Sequence, residues 1–413
     1  MLANAVDRVG VNFTKAALFS TSAKEIIVRN AKGVRENAPY VIYGTISAVL
    51  GGTSGYEDSF QRNGIAEYFA VKLKDRMVDT QAYNDIERRG LFVERPALMR
   101  EIWNAMNKKK ADGAYTVVYG PRGVGKTTII ESVVCNRRGV LVLRLSKLAS
   151  EKQIIKDLAI LIGTNNLEPQ IAHITRALEN GVLDDGTLIT LILVIERDGI
   201  ETETERSGIQ TIRNISKILS NSCNCIIHLS EVNYALDFDD NAHYIYVSEF
   251  KDIEVRQYLI CLGVNPDLNE VILAINNIGK NPSTIRKLQE WIEKEFPIND
   301  YINEKLRKVE QDLVSFPHQK ILKELKKMDL ASNINDFDAL GILPKSLNNT
   351  KKSGNDIDLS NIRAVSVALK KFDAVVYRAE LGKYTLSSHS HLIALRSYTP
   401  PSSKNWLSKL FCR

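Results

Sequence analysis

The sequence predicts an α/β chain: a parallel sheet sandwiched by helices, then a small helical unit, then a C-terminal domain of helices and a hairpin. Three observations predict it. Strand and helix signals alternate from Tyr115 to Val247. The segment Leu188 to Ile195 (LITLILVI) is apolar almost throughout, as strands buried on both faces of a parallel sheet are. After Lys251 the strand signals stop and helical spacing takes over.

Each element follows from its own pattern. Residues 1 to 90 show no clear period and form an extension of unknown role. Leu91-Phe92-Val93-Glu94-Arg95-Pro96 opens a helical pattern through Trp103 and Met106. Tyr115 to Tyr119 reads as a buried strand, Thr127 to Cys135 as a helix, and Gly139 to Leu145 as a second strand. Glu151 to Ile162 and Ile171 to Asn180 carry the three–four spacing of amphipathic helices. Beyond Leu188 to Ile195 come a helix, Ile209 to Leu219, and two strands, Cys225 to Leu229 and Tyr244 to Val247. Helices then run from Lys251 to about Glu295. Phe316 to Met328 predicts an amphipathic helix with a basic face, and Asn361 to Phe372 another. The polar stretch from Ala331 to Asp358 reads as a long loop between them. Ala374 to Ser387 reads as strand, turn centred on Gly382, strand.

Composition sets the outer bounds. At 413 residues, about 150 per domain gives two or three domains. With 44% hydrophobic and 25% charged residues, a disordered, collagen-like or coiled-coil chain is excluded. The 5 cysteines are odd in number, and only Cys223 and Cys225 are close, which argues for reduced thiols rather than a disulfide scaffold or a zinc site. The net charge is +6, and the basic excess lies in the C-terminal third, which permits a polyanionic partner as well as a solvated face. Met1 to Ala23 is weakly like a mitochondrial presequence but poor in arginine. The uncharged run Asn37 to Tyr56 has the length of a membrane span, yet its Pro39 and four glycines favour a buried segment or loop. The expected location is intracellular, cytoplasmic or nuclear, with mitochondrial as the alternative.

One motif carries the functional reading. Gly120-Pro121-Arg122-Gly123-Val124-Gly125-Lys126-Thr127 fits G-x-x-x-x-G-K-[ST] throughout. A loop around a triphosphate must turn backbone N–H groups inward, and glycines permit the dihedrals and the close approach. The following helix points its positive end at the phosphates. Lys126 supplies charge between the terminal phosphates, Thr127 a hydroxyl for Mg²⁺, and Thr128 completes the nucleotide-binding set. The motif sits between a strand signal and a helix signal, where its mechanism requires it. No N-K-x-D motif is present to read guanine, so ATP with Mg²⁺ is the expected ligand.

The second half of such a site needs an acidic residue at the end of a buried strand. Glu196 follows Leu188 to Ile195 and is the expected metal-side carboxylate. Arg197 stands where a catalytic carboxylate often stands, and Asp198 is the alternative base. Ser230, ending the strand Cys225 to Leu229, is either a γ-phosphate sensor or an ordinary strand-end serine.

On these residues the chain resembles AAA-type P-loop ATPases of the archaeal-ATPase and STAND kind, related to origin-recognition ATPases. Phe92 to Pro96 looks like that family's lead-in, and Leu193-Val194-Ile195-Glu196 like its metal-coordinating strand. Ile278-Gly279-Lys280-Asn281-Pro282-Ser283 looks like its lid motif, with Lys280 in place of a glycine. The resemblance implies a P-loop NTPase core over 91–250, a helical lid over 251–296 and a winged-helix domain over 297–413. It implies ATP hydrolysis, although the Glu196-Arg197 departure leaves binding without turnover open. It also implies Arg286 as a lid arginine reaching the phosphates, against an ion-paired surface arginine. A protein partner or self-association fits such a switch. DNA contact through Lys370, Lys371, Arg378 and Lys383 is the competing use of the basic domain; a membrane is not expected.

Overall fold

The computed structural model describes residues 73–77, 84, 87, 90–146, 149–162, 171–196, 203–238, 242–332, 340–348, 365, 369 and 374–397. The presequence-like segment, the uncharged run 37–56, Arg197, Asp198, Lys370 and Lys371 lie outside these residues.

Helix α1 (Pro96–Met106) begins where Pro96 supplies a preset φ at the first turn. The core then alternates: β1 (Thr116–Tyr119), α2 (Lys126–Val134), β2 (Val140–Ser146), α3 (Glu151–Ile162), α4 (Ile171–Glu179), β3 (Thr190–Glu196), α5 (Glu203–Leu219), β4 (Asn224–Leu229), a 3-10 turn (Val232–Asp237) and β5 (His243–Tyr246). The five strands pair in parallel in the order β2-β3-β4-β1-β5. Both faces are covered, which explains the unbroken apolar run of β3. Leu191, Leu193 and Ile195 point to the side of α3, α4 and α5, while Ile192 and Val194 point to the side of α1 and α2.

The extension contributes to this core. Leu73 is fully buried beneath the sheet, Met77 bridges Arg138 antiparallel, and the Gly139 N–H donates to the Arg76 carbonyl at 2.8 Å. Residues 73–77 therefore lie against the segment that leads into β2.

A small helical unit holds α6 (Asp252–Cys261), α7 (Asn269–Ile278) and α8 (Pro282–Glu293) around a core of Val255, Leu259, Ile275, Ile285 and Leu288. The C-terminal domain holds α9 (Ile298–Ser315), α10 (Gln319–Ser332), a 3-10 turn (Pro344–Asn348), β6 (Val375–Arg378), β7 (Lys383–Leu386) and α11 (His389–Ser397). The antiparallel hairpin β6–β7 is joined by Ile342, which bridges Tyr384.

Two expectations change here. Phe316 does not open a helix; it ends α9 in an extended conformation, and α10 starts at Gln319. Pro317 is the cause, since proline drives the preceding residue out of the helical region. The segment read as a loop over 331–358 contains the end of α10, the Ile342 bridge and a 3-10 turn, because an apolar Gly341-Ile342-Leu343 finds a pairing edge on β7. Helix α9 also joins the two C-terminal units. Tyr301 and Ile302 are buried against α6–α8, while Val309 and Leu313 are buried in the C-terminal core. Among the described residues, no helix is long and apolar enough to cross a membrane.

Candidate functional site

The loop Gly120–Gly125 runs from the C-terminal end of β1 into the first turn of α2. Gly120 has φ +154°, and a Cβ there would strike the Val247 backbone carbonyl. Gly123 has φ +82°, and a Cβ there would strike the Ser283 side chain of α8. These two positions need glycine for close approach as well as for dihedral freedom. Pro121 and Val124 are buried, Arg122 is exposed, Thr127 is exposed and Thr128 is half-buried. Helix α2 has no side-chain cap at Gly125, so its first N–H groups remain available to an anion.

Lys126 is a buried cation with 6% exposure. Its ammonium donates to the carbonyls of Gly120 and Pro121 at 2.9 Å each, and of Ser230 at 3.3 Å. Burial lowers its pKa to about 8; Glu231 opposes the shift and Arg122 adds to it. An uncapped helix end, a desolvated ammonium and a backbone free of Cβ obstruction fit a polyphosphate. The exposed Thr127 hydroxyl at the same helix end fits a metal ion bound to it.

Ser230 lies level with the end of β3. Its hydroxyl and its N–H both donate to the Ile195 carbonyl, the latter at 3.3 Å. Ile195 pairs with Leu229, so Glu196, the last residue of β3, stands beside Ser230 in the sheet. The geometry thus gathers Gly120 to Thr128, Glu196 and Ser230 at the carboxyl ends of β1, β3 and β4. The order β2-β3-β4-β1-β5, with a glycine loop leading from the strand beside β4 into a helix, decides the fold. The core has the fold of a P-loop NTPase.

The helical unit α6–α8 touches this NTPase loop directly. Asn281 Nδ2 donates to the Arg122 carbonyl at 2.8 Å, and the Ser283 N–H lies 3.3 Å from the Gly123 carbonyl. The Asn281 side chain also caps α8, accepting from the Ser283 N–H at 3.0 Å. Arg286, on the same helix, lies 3.7 Å from Glu290 and is half-exposed. Its described ion pair is with that glutamate rather than with the loop. Lys280, at the glycine position of the lid motif, pairs with Asp252 at 2.8 Å.

Of three further contributors, the lead-in segment Phe92 to Pro96 flagged only Arg95; His228 and Tyr119 were not evident from sequence. Arg95 is 6% exposed and grips the segment linking β5 to α6. It donates to the carbonyls of Ser248 (3.0 Å) and Glu249 (3.2 Å), pairs with Glu254 and lies over the Phe250 ring. His228 is buried in β4 beside Val118 and Val194, with no hydrogen-bond partner at Nε2. Burial, helped by Lys126 and Arg144, pushes it down to about 3, so it is neutral. Tyr119, immediately before the loop, donates to the Glu380 carboxylate; burial and that charge push its phenol well above the ordinary range.

No protein-family model matches the sequence, and no curated protein is detectably similar to it. Solved structures are similar at low identity. The Walker-type ATPase PABY2304 of Pyrococcus abyssi is 13% identical, with a TM-score of 0.45, over 74% of this chain and 96% of that one. A STAND protein with a tetratricopeptide repeat sensor from Pyrococcus horikoshii is 14% identical, with a TM-score of 0.35, over 79% of this chain and 44% of that one. Drosophila ORC bound to DNA is 14% identical, with a TM-score of 0.36, over 74% of this chain and 94% of that one.

Proposed function

We propose that this protein is an ATP-binding and ATP-hydrolysing switch of the AAA/STAND kind. The observation that carries this reading is the lid's grip on the loop. Asn281 and Ser283 meet the Arg122 and Gly123 carbonyls, so filling the loop must be felt by the lid. ATP would lie against the N–H groups from Gly120 to Thr128, with Lys126 near its terminal phosphates. Mg²⁺ would be held by Thr127 and, through water, by Glu196; bound there, it would withdraw charge from the terminal phosphate. Asp198 or Glu196 would orient the attacking water, and Ser230 would sense the γ-phosphate after leaving the Ile195 carbonyl. Arg286 would have to give up Glu290 to act as a lid arginine.

The working parts are a core over 91–250, a lid over 251–296 and a C-terminal unit over 297–413, with α9 shared between the last two. Helix, bridged strand, helical residues 365 and 369, and hairpin follow in the order of a winged helix. Differential contact with the γ-phosphate would move the lid and, through α9, that unit. The test is Lys126→Ala: ATP binding is lost while the fold stays intact by circular dichroism. Parent-like binding in that variant would overturn the site assignment.

A further inference from the structure

Lys126 heads the stripe of α2 that faces the sheet, with Ile129, Ile130 and Val133 behind it. Those three share one apolar layer with Val118 and Val194. His228 of β4 stands in register with Val118 on one side and Val194 on the other, so its imidazole enters the same layer from the sheet. It is 5% exposed, and its Nε2 has no hydrogen-bond partner. An unpaired buried nitrogen is uncommon in a folded protein and costs stability, so its retention calls for an explanation.

The charges around it are accounted for. Arg144 of β2 is level with Val194 in the same row of the sheet and lies near the Glu131 carboxylate of α2. Burial, then Lys126, then Arg144 hold the His228 imidazole neutral, at about 3. A neutral imidazole keeps one acceptor nitrogen. The Lys126 ammonium sends its donors to the carbonyls of Gly120, Pro121 and Ser230. Two of those carbonyls belong to the loop that would hold the phosphates, and the third follows β4. An ammonium that turns toward a phosphate must give up a loop carbonyl. His228, two residues before Ser230, offers β4's other acceptor beneath it.

We infer that His228 is a positioning residue for the phosphates, acting through Lys126: with nucleotide in the loop, its free nitrogen accepts a hydrogen from the ammonium and holds that charge between β4 and the terminal phosphates. The inference rests on the ATP-binding reading above. A neutral acceptor suits this place. A carboxylate would offset the charge that the phosphates need, and a protonated imidazole would repel the ammonium. Because the bond forms with the nucleotide in place, losing it weakens nucleotide binding and leaves the unliganded fold without an unpaired nitrogen.

The experiment uses the full chain. A fluorescent ATP analogue is titrated with Mg²⁺ into the parent, His228→Leu and His228→Gln. Leucine removes both ring nitrogens, so its unfolding midpoint should match or exceed the parent's while affinity falls about tenfold, the worth of one hydrogen bond to a charged group. Glutamine returns an acceptor and should recover most of that loss. Magnetic resonance of the parent carrying isotope-labelled histidine gives a second reading. On adding Mg²⁺ and ATP, one imidazole acceptor nitrogen should shift as it takes up a hydrogen bond, and its signal should be missing from whichever variant folds. A folded leucine variant with parent-like affinity, a folded glutamine variant as weak as the leucine one, or histidine nitrogens unmoved by saturating ATP would each overturn the inference and leave ATP binding intact. An imidazole merely tolerated in the core, or held by a buried water, gives one of those results. A parent that binds no ATP would overturn both readings.

Discussion

Lys126 shows how one residue's burial sets a measurable property of the site. Its folded pKa is near 8, below the ordinary lysine value of 10.5, because burial penalises the ammonium more than Glu231 repays. A polyanion needs the charged form. Apparent ATP affinity should therefore hold up to about pH 7.5 and fall about tenfold from pH 7 to pH 9 as the free site deprotonates. Stability moves the other way. The folded state holds fewer protons than the unfolded one between about pH 8 and 10.5, so this residue's contribution to stability rises with pH over that window. Titration at several pH values beside a thermal melt separates the two. Lys126→Arg, which does not titrate in this range, should flatten the binding profile whatever its absolute affinity. The loop itself was legible because phosphate geometry imposes spacing on glycines. The lysine's lowered pKa was not, since the burial that produces it is a tertiary fact, made in part by Ser230, 104 residues away in sequence.

At the scale of elements, the strands were the most legible part, because burial on two faces leaves little room for polar residues, His228 and Asn224 of β4 being exceptions. Helix α9 escaped notice for the opposite reason. Of its 18 residues only Tyr301, Ile302, Val309 and Leu313 are buried; Ile298, Ile302, Leu306, Val309 and Leu313 do fall on one helical stripe, but it is thin among charged residues and divided between two cores. The lid turn was recognisable as a motif, but its hold on the loop is a tertiary fact. Asn281 does two things there, and they can be separated. Asn281→Asp keeps an N-cap acceptor and loses the donor to the Arg122 carbonyl; Asn281→Ala loses both. The alanine variant should cost about 1 kcal/mol in a denaturant melt and the aspartate variant less. Both should shift the ATP dissociation constant by roughly 2- to 10-fold, the worth of one hydrogen bond. A shift in the alanine variant alone would mean that the cap, and not the loop contact, is what nucleotide binding depends on. The extension makes a similar point at the sheet edge. Nothing periodic marks Leu73, yet Leu73→Ala removes a fully buried side chain and should cost about 2–5 kcal/mol in the same melt.

Across the whole molecule, the charge count and the packing give different accounts of the basic C-terminal third. Sequence alone makes Arg378 and Lys383 candidates for phosphate contact. In the folded chain Arg378 is 12% exposed, paired with Glu380 and stacked on Tyr246 of the NTPase sheet. A guanidinium so placed is bound to its own core, and meeting a duplex would require it to leave both partners. Replacing Arg378 and Lys383 together by alanine should therefore act on the fold first. Losing the stack and the ion pair should cost about 1–2 kcal/mol, read as a lower midpoint in thermal or denaturant unfolding. Duplex DNA supplies the decisive comparison. Were these residues the contact, filter binding at two salt concentrations would show a slope reduced by about two relative to the parent. The docked geometry predicts the same slope in parent and variant, with any residual DNA affinity carried by other cations. A slope that falls with little change in unfolding midpoint would place the hairpin on nucleic acid and remove it from the core, because a guanidinium only 12% exposed against Tyr246 and Glu380 has to leave the core to reach a duplex.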